Sequence, residues 1–214
     1  MRIWVALALG GCVGIAGGAL ADARTEAVTR LQTRYEATRS MRANFRQRVE
    51  SPTLAKPLES HGTVLFERPN RMRWDYAPPD AQLIVGDGKT LWIYQPDLKQ
   101  AIRAPLRDAF QAQTPLTFLA GLGRVERDFD ATLEREDVQH WVLKLVPKGD
   151  SELGTLVLVV RKTDAGLVEA RITDPLGTTT SLAFTDEARN VEIPADRFRF
   201  EPPAGVDVVS PPAY

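Results

Sequence analysis

Alternating apolar and polar positions dominate the chain between His61 and Ala101. The alternation is cut at Arg68-Pro69-Asn70, at Ala77-Pro78-Pro79-Asp80 and at Gly86-Asp87-Gly88, which predicts four short strands joined by three tight turns. Connections that short make an antiparallel meander the simplest arrangement. A two-residue period places Val64, Phe66 and Arg68 on one face of the first strand. It places Met72, Trp74 and Tyr76 on one face of the second, with Arg71, Arg73 and Asp75 on the other. The outcome is an apolar, aromatic sheet face with an arginine at its edge. Such a face has to be covered by helices, by another sheet or by a ligand. Arg68, at the end of its strand, needs acceptors for its guanidinium, and backbone carbonyls at a helix end are natural ones.

The period is different upstream. From Asp22 onward Ala27, Leu31, Tyr35 and Thr38 recur at about four-residue spacing, which predicts one amphipathic helix. Near Met41 the period falls to two, with Met41, Ala43, Phe45 and Gln47 alternating against Arg42, Asn44, Arg46 and Arg48, so a first strand begins there. Ser51 to Glu59, with Pro52 and Pro57, reads as a loop. After Ala101 the strand pattern lapses. Leu106 to Gln113 is expected to form a short helix, and Thr114-Pro115 opens a stronger one with Leu116, Phe118, Leu119 and Leu122 on its apolar face. Strands are expected again at Asp128–Glu134, Trp141–Pro147, Thr155–Arg161, Val168–Asp174 and Thr178–Asp186, separated by short turn clusters. The consistent reading is a single α+β domain, a meander sheet with a few helices on one side.

Residues 1–21 differ in kind. Arg2 gives a short basic start, Ile3 to Leu20 carries no charge, and Ala19-Leu20-Ala21 is a small-x-small cleavage signal, so this segment reads as a secretory signal peptide and 22–214 as the mature domain. Two alternatives are a retained membrane anchor and a lipoprotein processing site at Leu9-Gly10-Gly11-Cys12. Cys12 is the single cysteine of the chain, so removal of the leader leaves no disulfide, thiol nucleophile or thiolate metal site.

At 214 residues, with 43% hydrophobic and 26% charged, the chain is long enough for one sizeable core. A net charge of −1 with scattered Lys and Arg argues against nucleic acid as a partner. His61 and His140 are too far apart in sequence to read as a metal pair, and neither a nucleophile elbow, a phosphate-cradling loop nor a zinc motif is present. No metal, cofactor or catalytic residue is therefore expected. Gly86-Asp87-Gly88 reads as a hairpin turn rather than a nucleotide or calcium site, and Asp128/Asp130 and Glu134/Glu136 as solvated strand faces rather than a glycosidase pair.

Several segments together resemble the LolA family, the periplasmic lipoprotein carriers of Gram-negative bacteria. They are Ala43-Asn44-Phe45-Arg46-Gln47, Gly62, Phe66 to Trp74 with its Arg-Pro-x-x-x-x-Trp pattern, Pro79, Val85 to Tyr94 with Asp-Gly-x-x-x-Trp-x-Tyr, Gln100, Thr114-Pro115-Leu116, and Phe198 to Val206. Met72 stands where the family often has phenylalanine, an apolar but more adaptable choice. The resemblance implies an unclosed antiparallel β-barrel covered by about three helices, enclosing an apolar cavity for acyl chains. Val64, Phe66, Met72, Trp74, Tyr76, Leu83, Val85, Leu91 and Ile93 are the expected lining. It also implies that Arg68 latches the lid through hydrogen bonds to backbone near Tyr35 and near Leu119 and Ala120. A family member would be a monomeric, non-enzymatic carrier in the periplasm. It would take acylated lipoproteins from an inner-membrane ABC transporter and give them to an outer-membrane receptor. A membrane-anchored receptor or lipid-binding sensor of the same fold is the alternative. A hydrolase of envelope lipids or glycans stands behind it, because an apolar cavity also suits an enzyme.

Overall fold

Short turns and strand-length alternation produce two runs of antiparallel strands after one helix in a computed structural model, which describes residues 16–106, 124–148 and 154–210. Helix α1 (Ala16–Ala37) leads into β1 (Ser40–Glu50), β2 (Leu58–Glu67), β3 (Arg71–Tyr76), β4 (Gln82–Asp87), β5 (Thr90–Gln95) and β6 (Gln100–Pro105). A one-turn helix α2 (Val125–Asp128) opens the second run: β7 (Phe129–Glu136), β8 (His140–Pro147), β9 (Thr155–Arg161), β10 (Leu167–Thr173) and β11 (Thr179–Arg189). A three-residue strand, β12 (Asp207–Val209), follows.

All twelve strands among the described residues join one sheet in the order β12-β6-β5-β4-β3-β2-β1-β11-β10-β9-β8-β7. Each run is a meander, and the two are stitched together by β1 and β11, antiparallel from Met41 opposite Arg189 to Glu50 opposite Thr179. With β12 and β7 at opposite ends of that order, the curved sheet stays open. The α+β class and unclosed sheet are as expected.

Several details differ from expectation. A strand, β6, runs through Gln100–Pro105 where the pattern lapses after Ala101, because it completes the hairpin with β5, and β2 begins at Leu58, inside the expected loop, because it pairs with β1 as far as Val49. Helix α1 begins at Ala16 rather than Asp22. Strand β12 pairs parallel with β6, Asp207 opposite Gln100. Between β11 in the middle of the sheet and the β6 edge lies a long connection, the kind of crossover that a parallel pair requires. Asp128 belongs to α2 rather than to a solvated strand face. It is only 5% exposed, and its carboxylate accepts the Arg124 N–H (2.7 Å) and the Arg127 guanidinium (2.6 and 2.9 Å). The helices expected between Leu106 and Leu122 lie outside the described residues, Leu106 itself excepted.

Among the described residues two apolar clusters hold the sheet. Ala27, Val28 and Leu31 of α1 are buried against Phe129, Trp141, Leu143, Leu145, Leu156, Leu158, Val160 and Ala170, so the helix stripe packs on the β7–β10 half. The second cluster, Ala43, Phe45, Val64, Trp74 and Leu182, sits where β1, β2, β3 and β11 meet, and Phe184 touches both. The opposite face of β3–β5 has its own cover. Phe200 packs on Trp92 (5.5 Å between ring centroids) and Tyr94 (5.2 Å), and Arg73 donates to the Arg197 carbonyl (3.1 Å), beside buried Phe198.

Candidate functional site

Cross-strand register decides which side chains share the inner face, the one bearing the second cluster. Val64 stands opposite Trp74, Phe66 opposite Met72, and Gly62 opposite Tyr76. Trp74 stands opposite Ile84, which in turn faces Ile93, and Gly86 faces Leu91. Val64, Phe66, Met72, Trp74, Tyr76, Leu91 and Ile93 are thus brought together as expected. Leu83 and Val85 are not: they stand opposite Asp75 and Arg73, and next to Tyr94 and Trp92, on the face that Phe198 and Phe200 cover. The run Leu83-Ile84-Val85 is apolar throughout, so its period does not say which residue faces which way. The hairpin register does, and it makes Ile84 the inner residue. Phe45, Ile84, Leu182 and Phe184 also belong to this face and were missed. Ile84 could have been found from its pairing with Trp74 and Ile93. Phe45 and Phe184 stand opposite each other and Leu182 opposite Gln47 and Ala170, so no pairing with the expected lining pointed to them.

The aromatic rings meet edge to face. Phe45 lies 4.9 Å from Trp74 and 4.9 Å from Tyr76, and Phe66 lies 5.8 Å from Trp74, with interplanar angles of 69°, 73° and 89°. Trp74 is 5% exposed, whereas Phe66, Ile84, Leu91 and Ile93 are half-buried. The Tyr76 hydroxyl donates to Gln47 Oε1 (2.9 Å), and burial pushes its pKa above the usual tyrosine value. Two glycines make room. A Cβ on Gly62 would lie 1.9 Å from the Asp75 carbonyl oxygen and 3.0 Å from the Phe45 ring, so only glycine lets that ring lie against the strand. A Cβ on Gly86 would lie 3.1 Å from Met72 Cγ and 3.2 Å from Leu106 Cδ1, which places Leu106 over the inner face.

At the edge of this face Arg68 meets the end of α1. Its Nε donates to the Thr38 carbonyl and its Nη2 to the Tyr35 carbonyl, both at 2.9 Å, with the guanidinium 5.0 Å from the Tyr35 ring centroid. The last turn of a helix leaves carbonyls without intrahelical donors and carries partial negative charge. Here Thr38 Oγ1 donates to the Arg34 carbonyl, Asn190 Nδ2 to that of Ala37, and Arg68 to those of Tyr35 and Thr38. Arg68 is exposed, so the expected cost of burying its charge on the apolar face does not arise. Leu119 and Ala120 lie outside the described residues.

The outer face of β1, β2, β10 and β11 carries a polar cleft of about 820 Å³ lined by Arg46, Arg48, Glu59, His61, Glu169 and Arg171 among others. Arg48 pairs there with Glu50 (2.9 Å) and Glu59 (2.7 Å), and Arg171 with Glu169 (2.8 Å), a lining unsuited to hydrocarbon. Among the described residues no group of three or more His, Cys, Asp or Glu is placed to hold a metal ion, and no helix is long and apolar enough to cross a membrane.

An open, curved sheet with an aromatic inner face, a helix along one half and an arginine at the helix end defines the class of single-domain half-barrels. The chain belongs to the LolA family: residues 36–201 match the family described as outer membrane lipoprotein carrier protein LolA. It is 36% identical over 197 residues to the outer-membrane lipoprotein carrier protein of Chromobacterium violaceum, covering 92% of this chain and 93% of that one. It is 35% identical over 210 residues to that of Methylibium petroleiphilum, covering 98% of each chain. The crystal structure of an uncharacterized conserved protein from Thermus thermophilus has the same fold. The TM-score is 0.55 at 15% identity, over 88% of this chain and 99% of that one.

Proposed function

We propose that this chain is a carrier of lipoproteins whose acyl chains lie on the inner face, between Phe66, Met72, Trp74, Ile84, Leu91 and Ile93. The observation that carries the reading is the half-buried apolar row on β2–β5, in a member of a lipoprotein-carrier family. Each methylene transferred from water to such a surface contributes about 0.8 kcal/mol, so a few acyl chains supply ample affinity. Release then needs a competing closed state, and Arg68 bonded to the end of α1 supplies one. In this reading residues 1–21 are removed on export, the carrier works in the periplasm as a monomer without catalysing a reaction, an inner-membrane ABC transporter loads it, and an outer-membrane receptor unloads it.

The test is binding of an environment-sensitive apolar dye to the purified protein, followed by titration with a triacylated lipopeptide. Displacement of the dye, together with acylated proteins in the mass spectrum of material co-purified from the envelope, is the expected result. A dye that the lipopeptide does not displace, with no acylated protein co-purifying, overturns the reading. The mass of the same preparation separates a chain starting at Asp22 from one acylated at Cys12.

A further inference from the structure

The latch depends on where its acceptors stand. The Tyr35 carbonyl is offered by the last turn of α1 and the Thr38 carbonyl by the residue just past it, and that turn is gripped from another side by Arg34. Arg34 Nη1 donates to the carbonyl and to Oδ2 of Asp164, both at 2.9 Å, in the turn between β9 and β10. Its Nη2 donates to both carboxylate oxygens of Glu187 on β11, both at 2.7 Å. The Arg34 side chain is 11% exposed and that of Glu187 17%. Arg161 reaches Asp164 (3.1 Å) and Arg189 reaches Glu187 (3.7 Å), so the two acids and three arginines form a network rather than an isolated surface pair. One turn earlier Arg30 donates to the Thr163 carbonyl (3.2 Å), and Ala27, Val28 and Leu31 are buried in the β7–β10 core. Helix α1 is therefore tied to the β7–β11 half, by packing on β7–β10 and by a forked charge network to the β9–β10 turn and β11. Its described side-chain hydrogen bonds to β2 and the turn that follows come from Arg68 alone.

We infer that Arg34 is the positioning residue of the latch: it anchors α1 to the β9–β11 side and holds the Tyr35 and Thr38 carbonyls where Arg68 can reach them. This rests on the latch reading above. Opening then moves the end of β2 and the strands beyond it, while α1 stays with β9–β11. The geometry asks for an arginine, since a lysine ammonium has no planar fork to span Asp164 and Glu187 at once.

Distances between spin labels test this in the ligand-free full chain, with Cys12→Ser so that the labels sit on the introduced cysteines only. Thr33 on α1, Thr163 in the β9–β10 turn and Lys89 in the β4–β5 turn are exposed positions for them. Arg68→Leu is expected to lengthen and broaden the Thr33–Lys89 distance and to leave Thr33–Thr163 unchanged. Arg34→Lys is expected to broaden Thr33–Thr163, and to abolish any further effect of Arg68→Leu on Thr33–Lys89. Asp164→Asn, which keeps an oxygen for the Gly166 N–H, should broaden Thr33–Thr163 less and serves if Arg34→Lys fails to fold. If Arg68→Leu lengthens Thr33–Thr163 as much as Thr33–Lys89, α1 moves and the inference is overturned. If Arg68→Leu acts as expected while neither Arg34→Lys nor Asp164→Asn alters Thr33–Thr163, the latch stands and the role of Arg34 falls. If Arg68→Leu moves neither distance, the latch itself has failed and the role of Arg34 in it goes too.

Discussion

Gly62 shows how tightly the inner face is built at the level of single residues. Its missing side chain is where the Asp75 carbonyl and the Phe45 ring meet, and the obstructing atom nearest to an added Cβ is backbone. Gly62→Ala is therefore expected to destabilise the protein by about 1–3 kcal/mol, the range for overpacking a site that cannot give, as read from urea unfolding midpoints. Arg68 behaves differently because it is exposed. Arg68→Leu should lower stability by no more than about 1 kcal/mol, since solvent screens its bonds. It should nevertheless slow transfer of bound lipoprotein to a purified receptor, because the closed state that competes with acyl chains is weakened. Transfer equal to that of the unsubstituted protein, measured beside a melting curve, would reject the latch. Arg68 was legible in the sequence because a lone arginine ending an apolar strand demands acceptors; that it stays in solvent was not, because exposure depends on where α1 ends.

At the scale of elements, β4 separates the two faces of the sheet most clearly. Ile84 points to the inner face and is half-buried, while Val85 is fully buried on the side of Phe198 and Phe200. Ile84→Ser should reduce affinity for an apolar dye with a small loss of stability. Val85→Ser should cost about 1–3 kcal/mol, with an unfilled and unsatisfied site left behind, and leave dye affinity nearly unchanged. Titration and urea unfolding of the two variants check both halves of that contrast. Most strands were legible because Gly, Pro and Asp mark their ends and polar residues alternate within them. The orientation of β4 was not, because its three consecutive apolar residues satisfy either face. Strand β12 escaped notice for a different reason: three residues beside prolines give no period, and its parallel partner β6 is fixed by a distant crossing of the chain. Helix α2 is a single turn held by the Asp128 carboxylate, too short for any helical repeat to show.

For the molecule as a whole, acid sensitivity follows from three aspartates. The Arg127 guanidinium and the Arg124 N–H hold Asp128 below the usual carboxylate value, against its own burial, and the N–H groups of Gln139 and His140 do the same for Asp137. Burial works to raise Asp164, but the Gly166 N–H with Arg34 and Arg161 outweighs it. In each case the unfolded chain takes up its proton first, near 3.8, so the stabilisation is complete above that pH and is lost as pH falls through the lower folded values. Melts at decreasing pH should be flat down to that region and then drop, and Asp128→Asn should be less stable at neutral pH with a shallower acid decline. The β1–β11 stitch sets the order in which the molecule can come together. β1 to β6 pair among sequence neighbours, as do β7 to β11, whereas joining Glu50 to Thr179 closes a loop through almost everything between. Contacts of such long range form slowly. A chain that crosses the membrane N-terminus first, as the proposed export requires, thus carries β1 with one edge bare until β11 has followed it across. An unpaired strand edge of that kind is where two incompletely folded copies would join.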